Sequence, residues 1–323
     1  MHPPDLAIRP RTDLRLGLLC GIGAGALWGF VFLAPRLTPD FTSLQLAVGR
    51  YAAYGLLSAL LLGRRIPILL RTLQRRLLLQ LSVLGLLGNT LYYALLSLGV
   101  RGAGVSTTAL VIGFLPVLVS MSGRNDHGAA GLGRMVPSLM FCVAGAFCVG
   151  AGVFGAQTGN AGGGLLGLLA AIGALLSWTA FAIGNARALR RLPGLSAQDW
   201  NLLTGLFTGA QALLLLPFAF RPEALPRTAG LPGWAGFAAL SAFVAVSASI
   251  GGNALWNRMS RLLPMTMAGQ MILFETVFAL IYGCLWDMRW PHPTEIGALV
   301  CIVCGVLLAI NAHRSARPAP VDA

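Results

Sequence analysis

Ten apolar runs, separated by short connectors that carry most of the charge, leave this chain few folds to adopt. They fall at about 16–34, 43–62, 77–98, 104–122 and 135–154, then at 163–186, 198–220, 231–256, 264–285 and 294–312. About 20 apolar residues cross the roughly 30 Å hydrocarbon core of a bilayer as a helix. In lipid, only helices and closed barrels satisfy every backbone N–H and C=O. The runs lack the strict alternation of barrel strands, so the sequence predicts an all-α integral membrane protein with ten transmembrane helices. Just 10% of the 323 residues are charged, against about 25% in a soluble domain.

The charge that remains is one-sided. All 23 basic residues are arginine, and the net charge is +13. In a soluble chain that excess would point to nucleic acid; here the arginines sit between apolar runs, so the expected partners are the lipid bilayer and a small-molecule substrate. If the N-terminus is inside, 17 arginines fall on cytoplasmic segments, 5 fall outside, and Arg50 lies within a span. The positive-inside rule then places both tails, 1–15 and 313–323, in the cytoplasm. A monomer in a bacterial inner membrane is the simplest expectation.

The chain also resembles itself. Gly88-Asn89-Thr90-Leu91-Tyr92 recurs as Gly252-Asn253-Ala254-Leu255-Trp256, 164 positions on. Phe114-Leu115-Pro116-Val117 is matched by Phe274-Glu275-Thr276-Val277 at an offset of 160, and Trp28 by Trp178 at 150. Two five-span repeats, 16–155 and 163–312, must run in opposite senses because five is odd. Inverted repeats are a recurring transporter design, with the binding site near the midplane at their interface.

With these features the chain resembles the drug/metabolite transporter superfamily, as a protein of two EamA-type repeats. The likeness covers nearly the whole length. It rests on the ten-span layout and on two similar helix pairs, 110–121 with 136–153 and 274–283 with 295–308, the second ending in EIGALVCIVCGVLL. Within the superfamily it looks most similar to YddG-type exporters of aromatic amino acids. The resemblance implies secondary transport by alternating access, without ATP. One position departs from the pattern: where the family often carries proline in the ninth helix, this chain has Thr276 after Glu275.

Four groups of residues are candidates for substrate binding. Glu275 lies near the middle of the 264–285 run with Gln270 before it, and an acid at that depth is costly enough to mark a functional site by default. Arg50, seven residues into its run, could pair with it across a cavity or reach up to the interface. Asn89 and Asn253, the repeated amides, could bind substrate or simply bond neighbouring helices. Trp28, Tyr92, Tyr93, Trp178 and Trp256 could wall a cavity for planar or apolar groups.

The other function classes find little support. The four histidines, His2, His127, His292 and His313, lie in tails or connectors, and none pairs with a buried acid at helical spacing. Cys301-x-x-Cys304 sits inside a spanning run with no second pair, so neither a metal nor any cofactor is expected and an enzyme is not. A different substrate, such as a nucleoside or organic cation, and a non-transporting membrane subunit remain the alternatives.

Overall fold

The computed structural model describes residues 14–38, 40–112, 114–122, 131–154, 161–192, 194–225, 230–286, 288–291 and 293–314. Among these the regular structure is helical throughout. In order, the helices are α1 (Leu14–Gly29), α2 (Ala34–Leu37), α3 (Ser43–Leu62), α4 (Arg65–Thr72), α5 (Arg75–Gly85), α6 (Leu91–Ile112), α7 (Leu115–Ser122) and α8 (Leu132–Phe154). There follow α9 (Ala161–Arg191), α10 (Ala197–Ala219), α11 (Gly230–Val244), α12 (Asn253–Leu262), α13 (Met265–Met271), α14 (Leu273–Trp286) and α15 (Pro293–Arg314). Two π-helical stretches interrupt them, Leu86–Thr90 between α5 and α6 and Ala245–Gly252 between α11 and α12.

Among the described residues, six stretches are long and apolar enough to cross a bilayer: Leu44–Leu62, Arg75–Leu96, Gly164–Arg191, Ala197–Ala219, Gly233–Leu262 and Met267–Trp286. Leu14–Gly29 and Leu299–Ala309 are shorter apolar helices. Leu56, Leu60, Leu166, Leu213 and Leu214 are each more than half exposed. An apolar exterior of that kind suits lipid rather than water. The architecture is that of an all-α integral membrane protein.

Helix boundaries differ from the sequence reading in two places. The run at 264–285 is not one helix: it breaks at Ile272, where the Glu275 N–H donates to the Ile272 carbonyl at 3.1 Å, a bond three residues back instead of four. The run at 104–122 likewise divides, between α6 and α7, with Pro116 in the first turn of α7. Proline is tolerated there but clashes with a helix continued upstream. The second break therefore forms without the proline that its counterpart carries.

The expected gap between 98 and 104 is covered by α6 without interruption, yet the chain still turns back there. The nine steps from Gly99 to Thr108 would rise about 13 Å in a straight helix. A Cβ on Gly99 would instead lie 3.2 Å from Thr108 Oγ1. Small residues at Gly102 and Ala103 let this reversal pack directly on Gly167 of α9.

Close backbone approach organises the packing. α3 crosses α10 where Gly55 faces Gly209, a Cβ on either lying 2.6 Å from the other's Cα. α6 packs along α9, α8 along α15, and α7 against α13. α1 runs beside α12, α13 and α14 with Gly21, Gly25 and Gly29 set against Met271, Phe274 and Phe278. The four-residue glycine spacing in α1 is thus a packing seam. At one end of the bundle arginines cap foreign carbonyls: Arg261 donates to Leu195 O at 2.6 Å and Leu192 O at 3.3 Å, and Arg190 to Leu263 O at 3.2 Å.

Candidate functional site

The two π-helical stretches lie at the repeated Gly-Asn pair. Carbonyls in and just before them accept side-chain hydrogen bonds from α1, α9 and α10. Gln211 Nε2 donates to Ser82 O at 3.0 Å, and Ser177 Oγ to Leu87 O at 2.8 Å. In the other stretch, Asn201 Nδ2 reaches Ser249 O at 3.3 Å and Ile250 O at 3.0 Å, while Trp28 Nε1 donates to Ala248 O at 3.0 Å. The glycines receive aromatic rings from the crossing helices: a Cβ on Gly88 would strike Phe181, and one on Gly252 would strike Trp28.

One repeated amide bonds to a neighbouring helix: Asn89 Nδ2 donates to Thr208 Oγ1 at 3.2 Å. Asn253 opens α12, directly after the second π-helical stretch. The hydroxyl of Tyr54, which is fully buried, lies 2.6 Å from both the Asn201 carbonyl and Asn201 Oδ1. A hydrogen-bond chain therefore runs from Tyr54 to Asn201 to the π-helical carbonyls, fixing α3, α10 and the α11–α12 junction together.

Beside this network sits the charged centre. Arg50 is buried in α3, with Nε donating to Ser249 Oγ at 3.0 Å. Its Cζ lies 5.1 Å from the Tyr51 ring centroid and 6.0 Å from that of Tyr93, within cation–π range. Tyr93 contacts Tyr51 and Tyr92 edge to face at 5.9 and 6.4 Å. Glu275, in the first turn of α14, is within electrostatic reach of Arg50, Tyr92, Tyr51 and Tyr93. Arg50 and Glu275 nonetheless have no nitrogen–oxygen contact of 4 Å or less; the close ion pair among the described residues is Arg65–Asp199 at 2.8 Å.

Tyr51 and Tyr93 also wall a cavity of about 410 Å³. Thr42, Ala47, Thr90, Ala212 and Phe218 complete much of its lining, so it runs between α3, α6 and α10 toward the start of α3. That volume falls in the range of small-molecule sites, and a mostly apolar lining with a few polar groups is their usual make-up.

Trp28, Trp178 and Trp256 form a separate buried trio, with centroids 5.3 to 6.4 Å apart. Tyr92 packs against the core that contains them and touches Tyr93, so it links the trio to the charged centre. Gln270 is not part of this assembly: its Oε1 lies 2.7 Å from Cys142 Sγ, between α13 and α8. Of the ten candidates, Arg50, Tyr92 and Tyr93 come together, the tryptophans form one adjoining cluster, Asn89 bonds α10, and Glu275 sits in the first turn of α14.

Sequence reasoning missed Tyr51, Tyr54, Asn201, Ser249 and the polar stripe of α10. That stripe was visible as Asn201, Thr204, Thr208 and Gln211, three or four residues apart on an otherwise apolar helix.

The model of the EamA-like transporter family matches residues 15–124 and 165–311. The chain belongs to this family. It is thus an EamA-like membrane transporter of the drug/metabolite transporter superfamily and not an enzyme. Inner membrane protein YtfF of Escherichia coli (strain K12) is 28% identical over 327 aligned positions, covering 92% of this chain and 95% of that protein. A solved crystal structure superposes at a TM-score of 0.70 with 19% identity, covering 91% of this chain and 98% of its own. That likeness shows the fold.

Proposed function

We propose that this EamA-like transporter exports small amphipathic metabolites, foremost amino acids including aromatic ones, by alternating access and without ATP. The observation that carries the reading is the buried Arg50 set between the rings of Tyr51 and Tyr93, which wall an apolar cavity of about 410 Å³. A charge inside apolar helices is costly, and charges kept at such positions mark substrate or ion pathways. Purified protein in liposomes should move amino acids faster than nucleosides or organic cations. Flux of the latter two alone would favour the alternative substrates, and no flux of any solute would favour a non-transporting subunit.

Ten spans in two inverted repeats fit the observations best. The family match falls in two stretches, and the packing pattern keeps its form when the halves are exchanged: α3 with α10, α7 with α13 and α8 with α15 are each self-paired. The two π-helical stretches occupy matching positions. The inner membrane location follows the name of the 28% identical relative.

Both termini are read as cytoplasmic from the arginine bias. The 155–162 connection, expected outside, lies largely beyond the described residues, so the 286–293 connection is the better probe. Trp290 is 92% exposed there. A cysteine at this position should react with membrane-impermeant maleimide in intact cells. Labelling by permeant reagents alone would reverse the orientation.

A further inference from the structure

The segment 64–76, which leads from the end of α3 through α4 into α5, carries five arginines and no acid. Gly63, at φ 46°, ends α3 and turns the chain into α4. The apolar side of α4 is taken up by the protein: Ile66, Leu69 and Leu73 pack against a cluster that contains Leu189 and Trp200. Arg65 pins the helix further, pairing at 2.8 Å with Asp199 in the first turn of α10. The other four arginines, Arg64, Arg71, Arg75 and Arg76, are exposed. Among the described residues none of these four has an ion pair or hydrogen bond to the protein.

Their depth in the bilayer follows from the spans on either side. Arg76, Leu79, Val83 and Leu86 recur at three- and four-residue intervals and share one helix face. The three apolar members are exposed, so in a spanning helix that face meets lipid chains. Leu79 lies three residues past Arg76, about 4.5 Å along the axis. On the α3 side, exposed Leu60 and Leu61 precede Arg64 by four and three residues. The polar layer of a bilayer is about 5–7 Å deep on each side of the hydrocarbon. The arginines therefore lie at the level of the phospholipid phosphates.

We infer that Arg64, Arg71, Arg75 and Arg76 form a docking surface for the phosphate groups of anionic phospholipids, whose acyl chains lie along the exposed apolar faces of α3 and α5. Four or more basic residues beside a span have the composition of an anionic-lipid contact. The guanidinium fork matches two phosphate oxygens at once. A zwitterionic headgroup carries its own ammonium, which a cluster of uncompensated arginines repels; an anionic headgroup brings no opposing charge. Each arginine near an anionic surface contributes roughly fivefold in affinity. Arginines scattered along this side of the membrane would satisfy the positive-inside bias equally well. What distinguishes these four is their clustering between two lipid-facing stripes, with no acid in the segment to neutralise them.

The test titrates purified full-length protein in neutral detergent with dioleoyl phosphatidylglycerol, dioleoyl phosphatidylcholine and glycerol 3-phosphate, the last being a headgroup without chains. Binding is read as thermal stabilisation against ligand concentration. Phosphatidylglycerol should bind at least about tenfold more tightly than phosphatidylcholine, and glycerol 3-phosphate should be weaker than either lipid. The triple variant Arg71→Gln, Arg75→Gln, Arg76→Gln should bind the two lipids within about twofold of each other. Arg221→Gln, which removes an arginine at the opposite end of α10, should keep the full preference. Salt gives a reading that needs no substitution: at 1 M the screening length falls to about 3 Å, and the preference should shrink by at least about threefold. Equal binding of the two lipids by the unaltered protein overturns the docking surface. So does a preference that survives the triple substitution or 1 M salt, and so does glycerol 3-phosphate that binds as tightly as phosphatidylglycerol.

Discussion

Arg50→Ala should lower amino acid flux by roughly 10- to 150-fold while leaving a folded protein. A hydrogen bond to a charged group contributes about 1.5–3 kcal/mol, and each 1.4 kcal/mol is about a factor of ten. Glu275→Gln should fall in the same range, because it removes the second charge held within the spanning helices. The two variants together should be little worse than either alone, since both charges serve the one transport step. Thermal stability should behave differently. Breaking a direct buried ion pair costs about 3–5 kcal/mol and gives strong coupling in a double-mutant cycle. Arg50 and Glu275 share no contact of 4 Å or less, so their coupling in stability should stay under about 1 kcal/mol. The decisive pattern is therefore non-additive flux with nearly additive stability. Coupling of several kcal/mol in the melting data would show a structural salt bridge and remove the ligand from the argument.

The membrane architecture was plain in the sequence because lipid admits so few solutions. Uninterrupted apolar runs and an arginine bias decide fold class before any side chain is placed. The internal Gly-Asn repeat also pointed to a real feature, for both copies sit at π-helical stretches. Its chemical meaning did not show. An amide in an apolar run can face a ligand or a neighbouring helix, and only the position of Thr208 shows that Asn89 bonds a helix. Gln270 stands apart from Glu275 for a related reason. It lies five residues before Glu275, but the break at Ile272 changes the phase between them and leaves Gln270 against Cys142. Periodicity carries no information across such a break. Tyr51 and Tyr54 were passed over because tyrosine is ordinary in a span, although Arg50 and Tyr54 stand four apart on one helix face.

Gly25→Ala should destabilise the protein by about 1–3 kcal/mol, the usual range for overpacking a filled interior, and should reduce flux along with it. On glycine's account alone the change would help, since alanine is favoured in a helix by about 1 kcal/mol. What opposes it is the surface on the far side of the seam. A Cβ at this position would lie 2.6 Å from Phe274 Cβ, 2.8 Å from the Phe274 carbonyl carbon and 2.9 Å from the Glu275 nitrogen. Two of those three atoms are backbone, so no rotamer change relieves the contact and α1 must move away from α14. That displacement acts at Glu275 itself, which is why transport should suffer with stability. Gly23 on the same helix supplies the control. A Cβ there would meet only the end of Leu255, at 3.0 Å, which a small side-chain rotation can clear. Gly23→Ala should consequently be neutral or slightly stabilising in the same melting assay and should transport normally. Equal losses in the two variants would mean that glycine matters to α1 for its flexibility, and that the close approach to α14 does not set the position of Glu275.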